Sequence, residues 1–337
     1  PDLVPPSQRG RYSGIKAFFE LPLPLIVVAF TISKMVSAGN LWMAILAMIA
    51  VFVVATVLTM MVKETPLKLP AKPMDWTSIL RLVLMTALFT LVIFLIGTGV
   101  KKLVPYLLTL KGSLSLVLIG VVGVAGMLLA VGLGVIASVR ISLGKEAGER
   151  PSFTWWVINR LAFLVGANNL ASFVLYFIQE RFPDLQGSAA AQPASLLMMV
   201  VGIAILVISI PSGWLTDKFG AKLVLLVSGL LATVGTIVVI MSRTMPVMFA
   251  GGVLIGLATG AFFSSNWALG TSIVPKEEAG RWLGISNLAG AGAGAVGAFI
   301  GGPIGDGAGY VLLMGLYGFL FLFSTLALMK IQPVASV

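Results

Sequence analysis

The chain has 337 residues, of which 58% are hydrophobic and 10% are charged, and its mean hydropathy is +1.07. This composition excludes a water-soluble globular protein, because too little polar surface is present to cover the apolar side chains. The formal net charge of +10 does not indicate a nucleic-acid partner, since the basic residues are scattered through the linkers. The absence of cysteine and histidine excludes disulfides and the commonest metal ligands, so we expect no metal and no cofactor.

Several apolar stretches are long enough to cross a bilayer as helices, which takes about 20 residues each. Helices are expected because lipid offers unpaired backbone groups no other partner. Unbroken apolar runs such as 112–139 argue against a β-barrel, whose strands alternate apolar and polar residues. The predicted fold class is an all-α integral membrane protein, a polytopic bundle of ten helices. The predicted spans are 12–34, 40–62, 80–100, 113–139, 154–179, 194–212, 221–242, 246–271, 283–304 and 308–330.

A short segment near the start of the chain recurs near its end. Residues 4–15 read VPPSQRGRYSGI and residues 274–285 read VPKEEAGRWLGI, with an offset of 270 positions and no gap. Each copy precedes a long apolar stretch, so the pattern predicts two related halves in which a polar turn opens a buried helix. Such internal symmetry is typical of secondary transporters. The candidate residues of this repeat loop are Arg9, Gly10, Gly14, Gly280, Arg281 and Gly284.

Two polar linkers, at 63–73 and 140–151, divide the chain into three predicted blocks. Residues 1–62 would be the last two helices of an N-terminal half. Residues 63–150 would hold cytoplasmic linkers and two inserted transmembrane helices, and residues 151–337 the six-helix C-terminal half. Since the chain starts with Pro1 and its first residues belong to a loop, we expect it to be a fragment that lacks its natural start. If the repeated turn opens the fifth helix of one six-helix half and the eleventh helix of the other, four helices come before it and the intact protein has fourteen.

The distribution of Lys and Arg predicts the orientation. Most of the 22 basic residues fall on segments that are cytoplasmic if the N-terminus is inside. Lys101, Lys102 and Lys111 are exceptions, because they share one outer loop. We therefore expect both chain ends in the cytoplasm and the protein in the plasma or inner membrane.

Residues 213–222, GWLTDKFGAK, resemble the signature loop of the major facilitator superfamily (MFS), Gly-x-Leu-(small)-Asp-(Arg/Lys)-x-Gly-x-(Arg/Lys). This loop lies between the second and third of the last six predicted helices, where that family carries its second copy. The repeated loop is similar to the family's turn before helices five and eleven, and the glycines and proline of 297–305 are similar to its helix eleven. Residues 18–24, FFELPLP, depart from the glycine-rich pattern of its drug antiporters.

The resemblance implies a transporter with two pseudo-symmetric halves and, as in 14-helix members, two extra central helices. Gly213 and Gly220 are predicted to allow a tight cytoplasmic turn that presents Asp217. Because a helix N-terminus favours negative charge, the two-fold relation predicts that Asp217 meets the start of the helix near residues 11–15. This contact would latch the halves on the cytoplasmic side; an ordinary solvated turn is the alternative. The predicted gating motif comprises Gly213, Asp217, Lys218, Gly220 and Lys222.

Ionisable residues inside a bilayer are costly, so each is a functional candidate. Glu20 lies about two turns into its predicted span and is interpreted as a proton-coupling or substrate residue. A structural pair with Lys16, four residues earlier, is the alternative. Arg160 is interpreted as a snorkelling residue near the cytoplasmic interface, with binding of an anionic substrate as the alternative.

Polar residues of the predicted helix 154–179 are expected to share one face, directed at an aqueous cavity or at another helix. By the resemblance this is helix seven, which helps to line the central cavity. The polar patch 264–266 in a later span also suggests cavity lining. The cavity candidates on these two helices are Asn159, Asn169, Ser172, Tyr176, Gln179 and Asn266.

The leading hypothesis is a secondary active transporter, a symporter or antiporter, that moves a small organic solute by alternating access. We expect protons as the coupling ion, the lipid bilayer as surroundings and a monomer. An enzyme is disfavoured, because the sequence shows no nucleophile–base pair, paired acid dyad or metal cluster. The alternative is a non-transporting scaffold or assembly factor of the same fold, in which the polar face of 154–179 would be packed shut.

Overall fold

The computed structural model describes residues 8–20, 35, 40–61, 76–110, 112–275 and 278–332. In these ranges the chain forms long helices joined by short turns. The helices are α1 Arg9–Glu20, α2 Leu41–Met60, α3 Trp76–Leu108, α4 Ser113–Leu143, α5 Glu146–Glu149, α6 Pro151–Arg181, α7 Ala191–Phe219, α8 Ala221–Met241, α9 Met245–Ile273, α10 Ala279–Ala308 and α11 Tyr310–Ala327.

Nine helices of the described ranges are long and apolar enough to cross a membrane. The remaining predicted span, 12–34, is described only at its start, as α1. Most helices extend beyond their apolar stretches: α7 runs to Phe219, although its predicted span ends at 212. The helices are longer because their backbone hydrogen bonds continue through polar residues at the membrane interface, and a prediction from apolar stretches leaves these residues out of the span.

Two tight connections depend on glycine. Gly220 separates α7 from α8 with a φ of +85°, and Gly309 separates α10 from α11 with a φ of +96°. Residues other than glycine rarely adopt this left-handed backbone conformation. Glycine at these two positions therefore allows the chain to reverse direction within a single residue. Consecutive helices thereby become antiparallel neighbours.

Helices α6 to α11 pack around a core rich in aromatic rings. The rings of Phe163 on α6 and Phe262 on α9 stack with centroids 3.7 Å apart, and Phe321 on α11 lies 4.8 Å from Phe163. The hairpin of α3 and α4 packs against α10, whereas α1 packs against α7 and α9. The side chains of α2 are almost all exposed.

Both copies of the repeat open a helix at the equivalent residue. Helix α1 begins at Arg9 and α10 begins at Ala279, which preserves the offset of 270 residues. The prediction that each copy introduces a helix in register is confirmed. The neighbours of the two helices differ, as described below.

Candidate functional site

Asp217, in the last turn of α7, caps the N-terminus of α1. Its Oδ1 accepts a hydrogen bond from the Gly10 N–H at 2.7 Å, and its Oδ2 accepts one from the Arg11 N–H at 3.1 Å. The Arg11 Nε lies 3.6 Å from the same carboxylate, which is only 11% exposed. These amides belong to the first turn, where a helix leaves its N–H groups without partners and favours negative charge. The predicted contact between Asp217 and the start of this helix is therefore present.

Glycines allow α1 and α7 to approach this closely. A Cβ atom on Gly213 would lie 2.6 Å from the Gly10 carbonyl oxygen, and one on Gly14 would lie 2.6 Å from the Ser209 carbonyl oxygen. The prediction that Gly213 forms part of the turn is wrong, because Gly213 lies within α7 and only Gly220 makes the turn. Gly213 instead provides the space that brings Asp217 within reach of α1.

The two lysines of the gating motif have different kinds of contact, one within its own helix and one with a distant segment. Lys218 Nζ lies 4.8 Å from the centroid of the Trp214 ring. Lys222 Nζ donates to the Ile331 carbonyl oxygen at 2.7 Å, which ties the start of α8 to the segment after α11. The two contacts lie on either side of Gly220 and would restrain the turn that follows Asp217.

The second repeat copy has different partners. Arg281 donates from Nη2 to the Ser142 carbonyl oxygen at 2.7 Å, and its Nη1 lies 3.0 Å from Glu278 and 3.7 Å from Glu146. A Cβ atom on Gly280 or Gly284 would meet no heavy atom of the described residues within 4 Å. Here a cavity of about 370 Å³ lies between α10 and the ends of α3 and α4.

A buried hydrogen-bond network joins α6, α9 and α11. Arg160 Nη1 donates to Asn266 Oδ1 at 2.9 Å, and Asn266 Nδ2 donates to Asn159 Oδ1 at 3.2 Å. Asn159 Nδ2 in turn donates to the Ser324 carbonyl oxygen at 2.8 Å and to its Oγ at 2.7 Å. Trp156 Nε1 donates to the Asn266 carbonyl oxygen at 3.1 Å. The network holds three helices in register and fixes the orientation of the guanidinium.

Arg160 does not snorkel to the surface. Its side chain is buried, at 4% exposure, and its Cζ lies 4.6 Å from the centroid of the Trp267 ring. Lys16 of α1 also approaches this ring, with Nζ at 4.1 Å from the centroid. Sequence reasoning missed this cluster, because Lys16, Arg160 and Trp267 lie on three different helices, so no spacing along the chain connects them.

The polar residues of α6 do not share one face. Asn159 points toward α9 and α11, whereas Asn169 Nδ2 donates to the Ala293 carbonyl oxygen of α10 at 3.1 Å. Ser172 is exposed and donates to the Asn168 carbonyl oxygen of its own helix. The expectation of one face fails at Asn159, because ten residues at about 100° each leave it roughly 80° from Asn169.

Tyr176 and Gln179 lie at the opposite end of α6 from Asn159. Tyr176 is 47% exposed and stacks on Tyr310 with centroids 5.2 Å apart, while Gln179 Nε2 is 3.5 Å from the Gly187 carbonyl oxygen. Nearby, the Glu180 carboxylate accepts from the Tyr310 N–H and caps α11. Sequence reasoning missed Glu180, because the capped helix starts 130 residues later.

The polar patch on α9 is buried rather than open. Ser264, Ser265 and Asn266 are all 0% exposed, and Ser265 shares a hydrogen bond of 2.7 Å with Thr216 of α7. A separate apolar cavity of about 210 Å³ lies between α6, α7 and α9, with Asn168 and Thr259 as its polar lining. Glu20 and Arg9 belong to α1, but their side chains lie outside the part of the chain that the structure describes.

Comparison with known proteins identifies a family match. Residues 161–336 match the family model of the Major Facilitator Superfamily. The chain is 29% identical over 136 residues to the minor myo-inositol transporter IolF of Bacillus subtilis (strain 168). That alignment spans 40% of this chain and 29% of the relative's length. A solved structure, the human organic anion transporter MFSD10 (TETRAN), superposes with a TM-score of 0.49 and 13% identity, covering 96% of this chain and 100% of that one.

Proposed function

Because the chain belongs to the Major Facilitator Superfamily, we propose that it moves a small organic solute across the membrane by alternating access, as a secondary active transporter. Membership of this family of transporters also means that the protein is not an enzyme. Transport would be driven by an ion gradient, with protons as the coupling ion. Because the relative IolF is a myo-inositol transporter, myo-inositol is the first solute to test.

The capping of α1 by Asp217 is the observation that carries the proposal. The bonds join the first repeat copy to a helix of the last six, so they cross the boundary that alternating access must open on one side. Hydrogen bonds to a charged group contribute about 1.5–3 kcal/mol each, strong enough to hold a closed state and weak enough to break in transport. A permanent scaffold has no need of a contact of this reversible kind.

The organisation proposed here has two halves that rock about a shared midplane site. Residues 1–62 belong to the first half, 63–150 supply the linkers and the inserted pair, and 151–337 form the second half. With both ends cytoplasmic in a plasma or inner membrane, the latch lies on the inner side. We propose that the protein works as a monomer, because one chain would contain both halves.

Glu20 is the proposed proton-coupling residue. It lies in the last turn of α1, the helix whose start is held by Asp217. Protonation of a carboxyl group on this helix would therefore act on the element that crosses the boundary between the halves.

Uptake into proteoliposomes tests the function. The full-length protein is reconstituted and assayed with myo-inositol and a panel of polar and charged solutes, with and without an imposed pH gradient. We expect accumulation above protein-free vesicles, a reduced rate for Asp217→Asn, and wild-type rates for Asp184→Asn, which removes an exposed carboxylate elsewhere. Absence of flux for every solute would contradict transport, and a proton-driven flux that survives Glu20→Gln would contradict the coupling assignment.

A further inference from the structure

The apolar cavity between α6, α7 and α9 offers a ligand very few polar groups. Its lining is aliphatic and aromatic, including the rings of Phe177 and Phe263, apart from Asn168 and Thr259. The Thr259 hydroxyl donates to the Ile255 carbonyl oxygen at 2.7 Å, so it is already paired within its own helix. Asn168 is therefore the polar side chain that a ligand in this cavity would meet.

The cavity is larger than the voids that close packing normally leaves. Protein interiors hold few voids bigger than a water molecule, because each void forfeits contacts between its lining atoms. An apolar cavity of about 150 Å³ lined by Leu, Ile and Phe stays dry and binds benzene. At about 210 Å³, the cavity between α6, α7 and α9 has room for one six-membered ring or a branched apolar group of similar size.

An exposed polar strip of α6 borders this cavity. Asn168, Ser172 and Tyr176 follow one another at steps of four residues, so they share one side of the helix, and all three are exposed. Asn168 belongs both to the strip and to the cavity lining. A ligand with its apolar group in the cavity would therefore reach the amide and hydroxyl groups of the strip with its other end. Because these three side chains are uncharged, the strip suits a neutral polar group.

We propose that this cavity binds the apolar ring of an amphipathic solute whose neutral polar end lies on the strip formed by Asn168, Ser172 and Tyr176. The inference rests on the proposed transport function and names the substrate class. Burial of the ring is favourable in proportion to the apolar area that leaves water.

A simple polyol fits the cavity poorly. A hydroxyl group that is buried without a hydrogen-bond partner costs free energy, and the cavity offers a partner only at Asn168 among the described residues. Myo-inositol carries hydroxyl groups all round its ring, so it would bind at the strip and leave the cavity empty. The solute that uses the whole site joins a polar end to an apolar ring.

Competition between matched glucosides tests the proposal on the purified full-length protein. Fluorine NMR follows 4-fluorophenyl β-glucoside, a water-soluble probe, in detergent micelles with protein and in empty micelles. Phenyl β-glucoside and methyl β-glucoside, which share the polar end and differ in the ring, are added as competitors, and myo-inositol as a third. We expect saturable binding for which the phenyl compound competes at least about 10-fold better than the methyl compound, since burial of one ring contributes that factor or more.

Two variants change the size of the cavity in opposite directions. Ala171→Leu adds bulk to the lining and should reduce the affinity for the phenyl compound to that for the methyl compound. Met198→Ala enlarges the cavity and should strengthen binding of 2-naphthyl β-glucoside by roughly 5-fold or more, a gain that a misfolded protein cannot give. Ala87→Leu is the control, because Ala87 is exposed on α3 and lies outside the lining, and it should leave binding unchanged.

The outcomes separate this inference from the transport function. Binding that does not distinguish the phenyl from the methyl compound, or a ring preference that both Ala171→Leu and Met198→Ala leave unchanged, overturns the site. Uptake of myo-inositol that excess phenyl β-glucoside does not inhibit also overturns it and leaves transport standing. Ring-selective binding without uptake of any solute would support the binding site and overturn transport.

Discussion

The two copies of the repeat begin helices at equivalent residues but are used differently. In the first copy, Gly10 and Gly14 are covered by α7, and the amides of the first turn are capped by Asp217. In the second copy, Gly280 and Gly284 face open space within the described part of the chain. There Arg281 contacts the end of α4 through the Ser142 carbonyl oxygen and the short helix α5 through Glu146.

The comparison shows that a repeated sequence conserves local structure more strongly than it conserves contacts. Both copies start a helix, because the polar turn and the apolar stretch that follows act locally. Which surface covers the glycines depends on the rest of the chain. The first copy is therefore the natural place to look for a moving contact, and the second for attachment of the α3–α4 hairpin.

The largest expected difference between the copies is in the tolerance of added side chains. Gly14→Ala would place a Cβ atom 2.6 Å from the Ser209 carbonyl oxygen, so α1 must shift away from α7. We expect a destabilisation of about 1–3 kcal/mol, the usual cost of overpacking, measured by denaturation in detergent.

Gly284→Ala is the matched control, because the same methyl group meets nothing within 4 Å of the described residues. Alanine is the better helix former by about 1 kcal/mol, so the control should be neutral or slightly stabilising. Equal destabilisation by the two variants would contradict the difference in packing between the copies.

Removal of the cap charge should have the next largest effect. Asp217→Asn keeps one acceptor oxygen but loses the charge that two backbone N–H groups bind. We expect a loss of about 1–2 kcal/mol, typical of an N-cap, together with faster hydrogen exchange at the Gly10 and Arg11 amides. Unchanged protection of these two amides would show that the carboxylate does not hold α1.

Replacing the arginine of each copy by alanine should change the stability by a smaller amount, and by different amounts in the two copies. Arg281→Ala loses a hydrogen bond to the Ser142 carbonyl oxygen and two ion pairs, and is expected to cost about 1 kcal/mol. Arg11→Ala loses one 3.6 Å ion pair of a side chain that is 58% exposed, so its cost should be near zero. Thermal denaturation of both variants compares them, and the reverse order would contradict the assignment.

The smallest expected difference between the copies is the response of their hydrogen exchange to salt. Raising ionic strength from about 0.1 to 1 M shortens the Debye length from roughly 10 to 3 Å, which weakens exposed ion pairs. Hydrogen exchange around residues 142–149 should then increase, while the amides capped by Asp217, which is only 11% exposed, keep their protection. A uniform change at both copies would show that their electrostatics are alike.

The sequence by itself determined the membrane class, the repeat offset and, in the described ranges, where nine spanning helices lie, although not where they end. These features depend on composition and on local periodicity, both of which can be read along the chain. The contact of Asp217 with α1 was also predictable, because a signature loop and an internal repeat together named both partners. The proposed roles of Glu20 and of the cavity residues on α6 stay predictions.

Tertiary structure alone decided which side chains meet between helices. It buried Arg160 against Trp267, although its position near a helix end favoured snorkelling, and it divided Asn159 and Asn169 between different neighbours. It also showed that Gly213 serves helix approach and not a turn. The physical reason is that helical periodicity specifies the direction of a side chain about its own axis, whereas the neighbour in that direction is set by packing of the whole bundle.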